Sequence, residues 1–300
     1  MKNVVSHICG GLGNQMFQYA AGRALSLRLK VPLRLNISNF FGTTPDNNAR
    51  VFQLLAFPNI ANAISGVDTN PSAAWETSLL RWIRLFRDRL RLPHFFWPHI
   101  VPEPSFAYWS GIEKISFPVA LYGYWQCEKY FYTFSTQLRE DLTFPPLPLG
   151  AAQEIAQHIR TCSNAVSVHI RRGDYVSNAQ TQAFHGLTGQ DYYTNALKHM
   201  DNQCGKSELF LFSDDPRWVK ENFDSHGHNA TIVDLQSPDA PHHDMHLMSL
   251  CRHHIIANSS FSWWGAWLGN DTGLTIAPKR WFADTNVDTS DIIPDRWLQL

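Results

Sequence analysis

The chain has 300 residues, a formal net charge of −1 and a 17% share of charged residues, and these values exclude several classes of protein. A chain of this length can bury the cores of two domains. The near-zero net charge gives no electrostatic footprint for nucleic acid. No apolar run reaches bilayer-spanning length, and the start, MKNVVSHICGG, lacks the features of a signal peptide. We therefore expect a cytoplasmic protein.

The cysteine pattern agrees with the expected cytoplasmic location. The chain has five cysteines, an odd number, and no CxxC pair. Such spacing predicts reduced, packed thiols rather than a disulfide framework.

The first half opens with a strand, a glycine turn and a helix. The pattern predicts a strand at 3–8, a turn at 9–13 with the sequence CGGLG, a helix at 14–30 and a strand at 31–37. The helix N-terminus of such a unit points at any ligand above the turn. The third glycine of the dinucleotide fingerprint is absent, which argues against a dinucleotide site. The candidate ligand contacts are Gly11, Gly13, Asn14 and Gln15, with helix capping as the alternative for Asn14.

Three further segments bear on how the chain is organised. Residues 75–92 predict a basic amphipathic helix, which either caps its own domain or lies on an acidic membrane surface. The second alternative adds a peripheral contact with the inner membrane. A helix is predicted at 127–142. The stretch TFPPLPLG at 143–150 predicts a domain boundary, because three prolines hold a connector extended. We place the domains at 1–147 and 148–300.

The second half alternates between strands and helices. This alternation predicts a doubly wound parallel α/β sheet. The predicted strands are 165–170, 208–212, 231–235, 254–257 and 274–277, and the predicted helices are 151–160, 191–200, 244–252 and 263–268.

The strand at 165–170 ends in charge, within the sequence AVSVHIRRGDY. Charge at the carboxyl end of a buried strand costs free energy unless it faces a crevice and a ligand. Arg171 and Arg172 predict a clamp for an oxyanion, since the guanidinium fork matches phosphate geometry. Gly173 would allow the sharp turn. The alternative is a structural ion pair between Arg172 and Asp174.

Other polar residues follow neighbouring strands and should lie at the same edge of the sheet. They are His169, Ser213, Asp214, Asp215, Asn258, Ser259, Ser260 and Ser262. Asp215, which precedes Pro216, is also predicted to be a helix N-cap with proline at the first helical position. Arginines beside a hydroxyl-rich loop at a helix N-terminus predict a diphosphate site. Asp244, at the start of a predicted helix, could accept the two neighbouring N–H groups of a guanine or could cap its helix.

The sequence does not predict a metal site. His242 and His246 have a metal-ligand spacing, but they straddle a predicted helix start and lack acidic partners. Two arginines can neutralise a diphosphate in place of Mg²⁺.

Four segments resemble a known family. They read GGLGNQMFQYAAGRAL, HIRRGDY, FSDDPRWVKENF and HHIIANSSFSWWGAWLG, at 10–25, 169–175, 212–223 and 253–269. In this order they resemble the bacterial α-1,2-fucosyltransferases of glycosyltransferase family 11, which also contains the animal galactoside 2-α-L-fucosyltransferases. The resemblance implies a GT-B-type α/β fold, with two Rossmann-like doubly wound domains facing a cleft. The N-terminal domain would bind the acceptor and the C-terminal domain GDP-fucose.

The resemblance also implies a reaction. It is an inverting, metal-independent transfer of L-fucose from GDP-β-L-fucose to the 2-hydroxyl of a galactose-terminated glycan, with no cofactor, in O-antigen or surface glycan synthesis. The acceptor stays open among Gal-β1,3-GalNAc, Gal-β1,3-GlcNAc, Gal-β1,4-Glc and Gal-β1,4-GlcNAc. The alternatives are a GT-B enzyme that uses another sugar nucleotide and a non-catalytic protein that binds nucleotide or glycan.

By the same resemblance, residues take individual roles. Arg171 would hold the β-phosphate, and Asn14 would lie beside the sugar and the leaving group. Asp244 would hold the guanine with His169 nearby, and Ser259 and Ser260 would contact phosphate.

The catalytic base stays open. Some distant relatives carry a glutamate after the arginines, whereas this chain reads SNAQTQAFHG there. Asp174 and His185 are the candidates, and His185 titrates in a suitable range.

Overall fold

The computed structural model describes residues 2–41, 50–69, 100–173, 184, 186, 188–237, 239–270 and 272–300. The chain divides into two compact units, Met1–Thr143 and Phe144–Leu300, and the division falls inside the proline-rich stretch at 143–150. The predicted basic helix at 75–92 lies outside the described residues. Within them, no helix has both the length and the apolar character needed to cross a membrane.

The first unit is built on a five-stranded sheet in the order β3-β2-β1-β5-β4, in which every pair is parallel. The strands are β1 Val4–His7, β2 Leu33–Asn36, β3 Gly66–Asp68, β4 Ile100–Pro102 and β5 Ala120–Tyr122. The strand order reverses between β1 and β5. In parallel sheets such a switch point opens a crevice at the carboxyl ends of the two strands, where ligands bind.

The described residues of this unit include three α-helices, namely α1 Leu12–Leu29, α2 Ile60–Ala63 and α3 Ser135–Asp141. The predicted helix at 127–142 is wrong over its first half. Two short 3₁₀ turns, Glu128–Tyr130 and Tyr132–Phe134, precede α3. Aromatic residues are weak helix formers, and the buried Tyr130 ring packs edge-on against Trp125 with centroids 5.2 Å apart. Tertiary packing therefore sets the local conformation there.

The second unit is built on a six-stranded parallel sheet in the order β11-β10-β9-β6-β7-β8. The strands are β6 Ala165–Ile170, β7 Glu208–Ser213, β8 Ala230–Val233, β9 His253–Ile255, β10 Thr275–Ala277 and β11 Leu298–Gln299. The helices are α4 Ala151–Thr161, α5 Gln190–Cys204, α6 Pro216–Asn222, α7 His242–Leu250 and α8 Ser260–Leu268. The predicted doubly wound sheet is confirmed.

The central strand β6 is buried at all its positions, as its apolar pattern predicts. Both faces of the sheet are covered, one by a core that includes α5 and the other by a core that includes α4 and α7. The strand order reverses between β6 and β9, so the residues that follow these two strands lie at a second switch point. All five cysteines are free thiols, as predicted.

A cluster of tryptophans holds α8 in the second unit. Trp263 is fully buried, and its Nε1–H donates to the carbonyl of Ile292 at 2.8 Å. Its ring packs against Trp264 and Trp297, with centroids 5.1 and 5.3 Å away. Because α8 follows β9, this packing fixes the loop at the second switch point.

Replacing Trp263 tests how much this packing stabilises the unit. We expect Trp263→Ala to lower the free energy of unfolding by about 3–5 kcal/mol, because it removes a large buried ring and leaves a cavity. Trp263→Phe should lose less, since it keeps part of the volume. Urea titration followed by circular dichroism measures both variants, and a loss below about 1 kcal/mol for the alanine variant would contradict the packing role.

Candidate functional site

The arginine turn after β6 is held by an ion pair to the neighbouring strand. Nη1 of Arg171 lies 2.6 Å from Oδ2 of Asp214, and the two side chains are 21% and 24% exposed. Asp214 follows β7, which pairs with β6 in parallel register. We predicted Asp214 as a ligand contact, and the structure makes it the counterion of Arg171. The alternative pair of Arg172 with Asp174 lies outside the described residues.

The same carboxylate also holds the backbone of the turn. Oδ1 of Asp214 accepts the backbone N–H of Arg172 at 2.9 Å. A Cβ atom on Gly173 would lie 2.3 Å from Oδ2 of Asp214. Gly173 is not among the residues with positive φ, and the predicted sharp turn continues into residues outside those described. A side chain at position 173 would have to displace the Asp214 carboxylate, which favours glycine there.

Arg172 is held in a different way. The centre of its guanidinium lies 3.7 Å from the centroid of the Trp218 ring, a cation–π contact. Its Nε is 3.8 Å from Oδ2 of Asp215 and has no hydrogen-bond partner in the described part of the chain. Sequence reasoning missed Trp218, although its place in the first turn of α6 was a usable signal.

The start of α6 explains why these groups meet. Asp215 is the N-cap, and its Oδ1 accepts the N–H of Trp218 at 3.1 Å, with Pro216 in the first turn. This confirms the predicted cap. Ser213 donates to the carbonyl of Ile170 at 2.7 Å and ties the end of β7 to the end of β6.

The serine loop after β9 begins its helix earlier than predicted, at Ser260 instead of 263. Ser259 is the N-cap, and its Oγ accepts the N–H of Phe261 at 3.3 Å. Ser262 donates to the carbonyl of Ser259 at 3.3 Å. The amide of Asn258 accepts from Thr188 at 2.9 Å and donates to the carbonyl of Trp281 at 3.2 Å. Asn258 and Ser262 therefore shape the loop and place the N-terminus of α8, with its partial positive charge, at the switch point.

His169 is a buried neutral group beside the arginines. Burial, together with the positive charge of Arg171, lowers the pKa of His169 to about 4. Its Nδ1 has no hydrogen-bond partner among the described residues, and its ring lies 5.8 Å from that of Phe261. It can therefore exchange hydrogen bonds with a ligand without carrying charge.

Asp244 lies in the first turn of α7, and the capping alternative is wrong. The N-cap position is Pro241, and no side chain caps the helix. Oδ1 of Asp244 is buried without a partner in the described chain, as are the Nδ1 atoms of His243 and His246. Burial and the neighbouring Asp234 raise the pKa of Asp244 to about 6. A carboxylate with an unpaired buried oxygen and a raised pKa is a candidate ligand contact.

At the glycine turn of the first unit, the N-cap of the helix also differs from the alternative predicted for Asn14. The N-cap of α1 is Gly11, without a side-chain cap, so the capping alternative for Asn14 is wrong. Oδ1 of Asn14 instead accepts from Nε2 of Gln126 at 2.9 Å. Gln126 was missed, because nothing in the sequence links it to a turn so far away. Gly10, with φ +77°, supplies the left-handed turn, and Gly13 is buried in α1.

Gln15 is wholly buried, and its side-chain amide forms hydrogen bonds with backbone groups. Its Nε2 donates to the carbonyls of Gly10 and Val51 at 2.9 and 2.8 Å, and its Oε1 accepts the N–H of Gln53 at 2.9 Å. These bonds give Gln15 the role of holding the turn.

Two predicted base candidates, Asp174 and His185, lie outside the described residues. Among those that are described, no three His, Cys, Asp or Glu side chains come together as a metal site.

Comparison with known proteins places this arrangement in a family. The family model described as Glycosyl transferase family 11 matches residues 93–300. The chain belongs to this family. The alpha-1,2-colitosyltransferase of Escherichia coli is 36% identical over 100% of this chain and 99% of its own length. The O-antigen biosynthesis glycosyltransferase WbnK of Escherichia coli is 32% identical over 98% of this chain and 99% of its own length. Human galactoside alpha-(1,2)-fucosyltransferase 1 is 26% identical over 48% of this chain and 41% of its own length.

Solved structures agree on the fold. NodZ alpha-1,6-fucosyltransferase matches 89% of this chain and 92% of its own, with a TM-score of 0.51 and 13% identity. A mutant of Arabidopsis thaliana FUT1 matches 92% of this chain and 70% of its own, with a TM-score of 0.51 and 12% identity. The two parallel α/β units are thus those of a GT-B-type family 11 glycosyltransferase.

Asp244 gives a pH-dependent prediction. Because its pKa rises from 3.8 to about 6 on folding, the native state binds more protons than the unfolded state between these values. The stability of the parent therefore falls as the pH rises through that window. We expect ligand-free Asp244→Asn to have the higher Tm at neutral pH and the difference to vanish below about pH 4. Thermal unfolding across pH checks this, and a variant less stable at neutral pH would contradict it.

Proposed function

We propose that this protein transfers L-fucose from GDP-β-L-fucose to the 2-hydroxyl of a terminal galactoside, with inversion, giving an α-1,2 linkage. The observation that carries the proposal is the arginine turn, with Arg171 and Arg172 at the β6/β9 switch point beside the N-terminus of α8. Family membership supports sugar transfer, and the names of two relatives support an α-1,2 linkage.

The arginine turn would stabilise the departing nucleotide. Charge develops on the β-phosphate as the bond to the sugar breaks, and a preorganised guanidinium stabilises that charge most in the transition state. The carboxylate of Asp214 holds Arg171 before the donor binds. A diphosphate carries more negative charge than this carboxylate and competes for the same guanidinium. We propose that Arg171, Arg172 and the α8 N-terminus neutralise the diphosphate, with no metal or cofactor required.

The base of the nucleotide would lie at α7. An ionised Asp244 can accept both N1–H and N2–H of guanine, whereas uracil offers one N–H. A neutral His169 can add a further hydrogen bond. This assignment accounts for the buried Oδ1 of Asp244, which lacks a partner among the described residues.

The acceptor would need only modest activation. A loose transition state with positive charge on the sugar reacts with weak base assistance, so Asp174 or His185 would suffice, and Asn14 would lie beside the sugar. The acceptor is proposed to be one of the four galactosides named above, in O-antigen synthesis, as the name of WbnK suggests for that relative. Attachment to the inner membrane through residues 75–92 stays a prediction.

A second donor is supported by one relative. A protein 36% identical over the whole chain is named an alpha-1,2-colitosyltransferase. Colitose is L-fucose without its 3-hydroxyl, so the two GDP-sugars differ by one oxygen atom. The ratio of kcat/KM for the two donors, with one galactoside acceptor and NMR assignment of the linkage, decides between them.

Removing the guanidinium tests the leaving-group role. We expect Arg171→Ala to lower kcat at saturating GDP-fucose by at least about 100-fold, because it removes a transition-state contact. Arg217→Ala is the matched control, since the Arg217 side chain is 88% exposed on the nearby helix α6. Initial rates of GDP release with a galactoside measure both. An Arg171→Ala rate within about tenfold of the parent would remove the leaving-group role.

Replacing Asp244 tests the base preference. The parent should bind GDP more tightly than UDP, and Asp244→Ala should reduce that preference by at least about tenfold, because the two guanine N–H donors lose their acceptor. Calorimetric titration with each nucleotide measures this at neutral pH. A preference for GDP that survives the substitution unchanged would place guanine elsewhere.

A further inference from the structure

The first unit brings two loops together at its own switch point. Asn14 follows the glycine turn after β1, and Gln126 follows β5. These two strands flank the position where the sheet order reverses. Nε2 of Gln126 donates to Oδ1 of Asn14 at 2.9 Å, so the two loops are joined at the edge of the sheet where ligands bind.

The Asn14 side chain lies in the first turn of α1. Within the described residues no side chain caps this helix, and its first turn holds no acidic residue. The Asn14 side chain also fills the space that a side chain on Gly10 would need, since a Cβ there would lie 2.9 Å from Nδ2 of Asn14. The Asn14 amide is therefore held between Gly10 on one side and Gln126 on the other.

Gln126 makes this contact at a cost to stability. Its side chain is only 6% exposed, and its Oε1 is buried without a partner in the described part of the chain. Leaving a buried carbonyl unpaired costs free energy that an apolar side chain of the same shape would not cost. Gln18, another buried glutamine of the same unit, differs in this respect. Its Oε1 accepts the N–H of Cys9 at 2.9 Å and its Nε2 donates to the carbonyl of Gly123 at 3.1 Å.

We propose that Gln126 is a positioning residue, retained to orient the Asn14 amide for sugar transfer rather than to stabilise the fold. With Oδ1 of Asn14 committed to Gln126, the orientation of the amide group is set before any ligand binds. The proposal rests on the sugar-transfer function proposed above. Small misplacements of a group that contacts the reacting sugar are enough to slow a reaction by about two orders of magnitude.

The experiment compares two substitutions of similar shape, Gln126→Met and Gln18→Met. We expect Gln126→Met to have a Tm close to or above that of the parent, because the loss of the hydrogen bond to the half-buried Asn14 is offset by the removal of an unpaired buried carbonyl. Gln18→Met should have a lower Tm, because it leaves the N–H of Cys9 and the carbonyl of Gly123 unpaired. These two measurements do not depend on the donor or the acceptor.

Kinetics then test whether Gln126 acts through Asn14. With GDP-fucose and a galactoside, Gln126→Met should lower kcat by at least about tenfold and change the KM for the donor by less than about threefold. The double variant Asn14→Ala/Gln126→Met should be no slower than Asn14→Ala alone, because the second substitution then has nothing left to orient.

Three outcomes would overturn the proposal. They are a lower Tm for Gln126→Met with an unchanged kcat, an unchanged kcat at the parent Tm, and losses that multiply in the double variant. If the parent itself transfers no fucose, the proposed function fails. The comparison of Tm values would still show whether Gln126 is retained for stability.

Discussion

The carboxylate of Asp214 is the constraint on which the candidate site depends. One oxygen contacts the guanidinium of Arg171, the other accepts the N–H of Arg172, and the group fills the space beside Gly173. It joins the carboxyl ends of β6 and β7 and gives the arginine turn one conformation. Both side chains keep part of their surface exposed, so an incoming diphosphate can compete with the carboxylate for the Arg171 guanidinium.

Two groups that lower the stability of the chain lie at the carboxyl side of its two sheets. Asp244 is a carboxylate whose burial disfavours its charge, and Gln126 is an amide whose oxygen has no partner among the described residues. Gln126 follows the carboxyl end of β5, and Asp244 lies in the first turn of α7, the helix after β8. In this architecture ligands bind at the carboxyl ends of the parallel strands. Costs of this kind are retained for function. They agree with the proposal that both switch points serve the reaction, with the nucleotide at the second unit and the sugar at the first.

Local patterns predicted much of the site. The apolar run of β6, the position of the arginines directly after it and the capping pair of Asp215 and Pro216 each depend on neighbours in sequence, and each was right. The contacts of Gln126 and Trp218 were missed because they join residues distant in sequence. The capping alternatives for Asn14 and Asp244 failed for a related reason, since a helix start is set by the turn before it. Family 11 membership places the chain among the glycosyltransferases, whereas these contacts are the basis of the proposed roles of individual residues.

The most direct test of the account is a crystal structure with GDP bound. We expect oxygens of the β-phosphate to lie within hydrogen-bond distance of the Arg171 guanidinium, close to the first turn of α8, with the guanine edge at Asp244. The distance between Arg171 and Asp214 should lengthen from its ligand-free value of 2.6 Å as the diphosphate takes the guanidinium. A complex in which that pair is intact and the phosphates contact neither arginine would contradict the central claim.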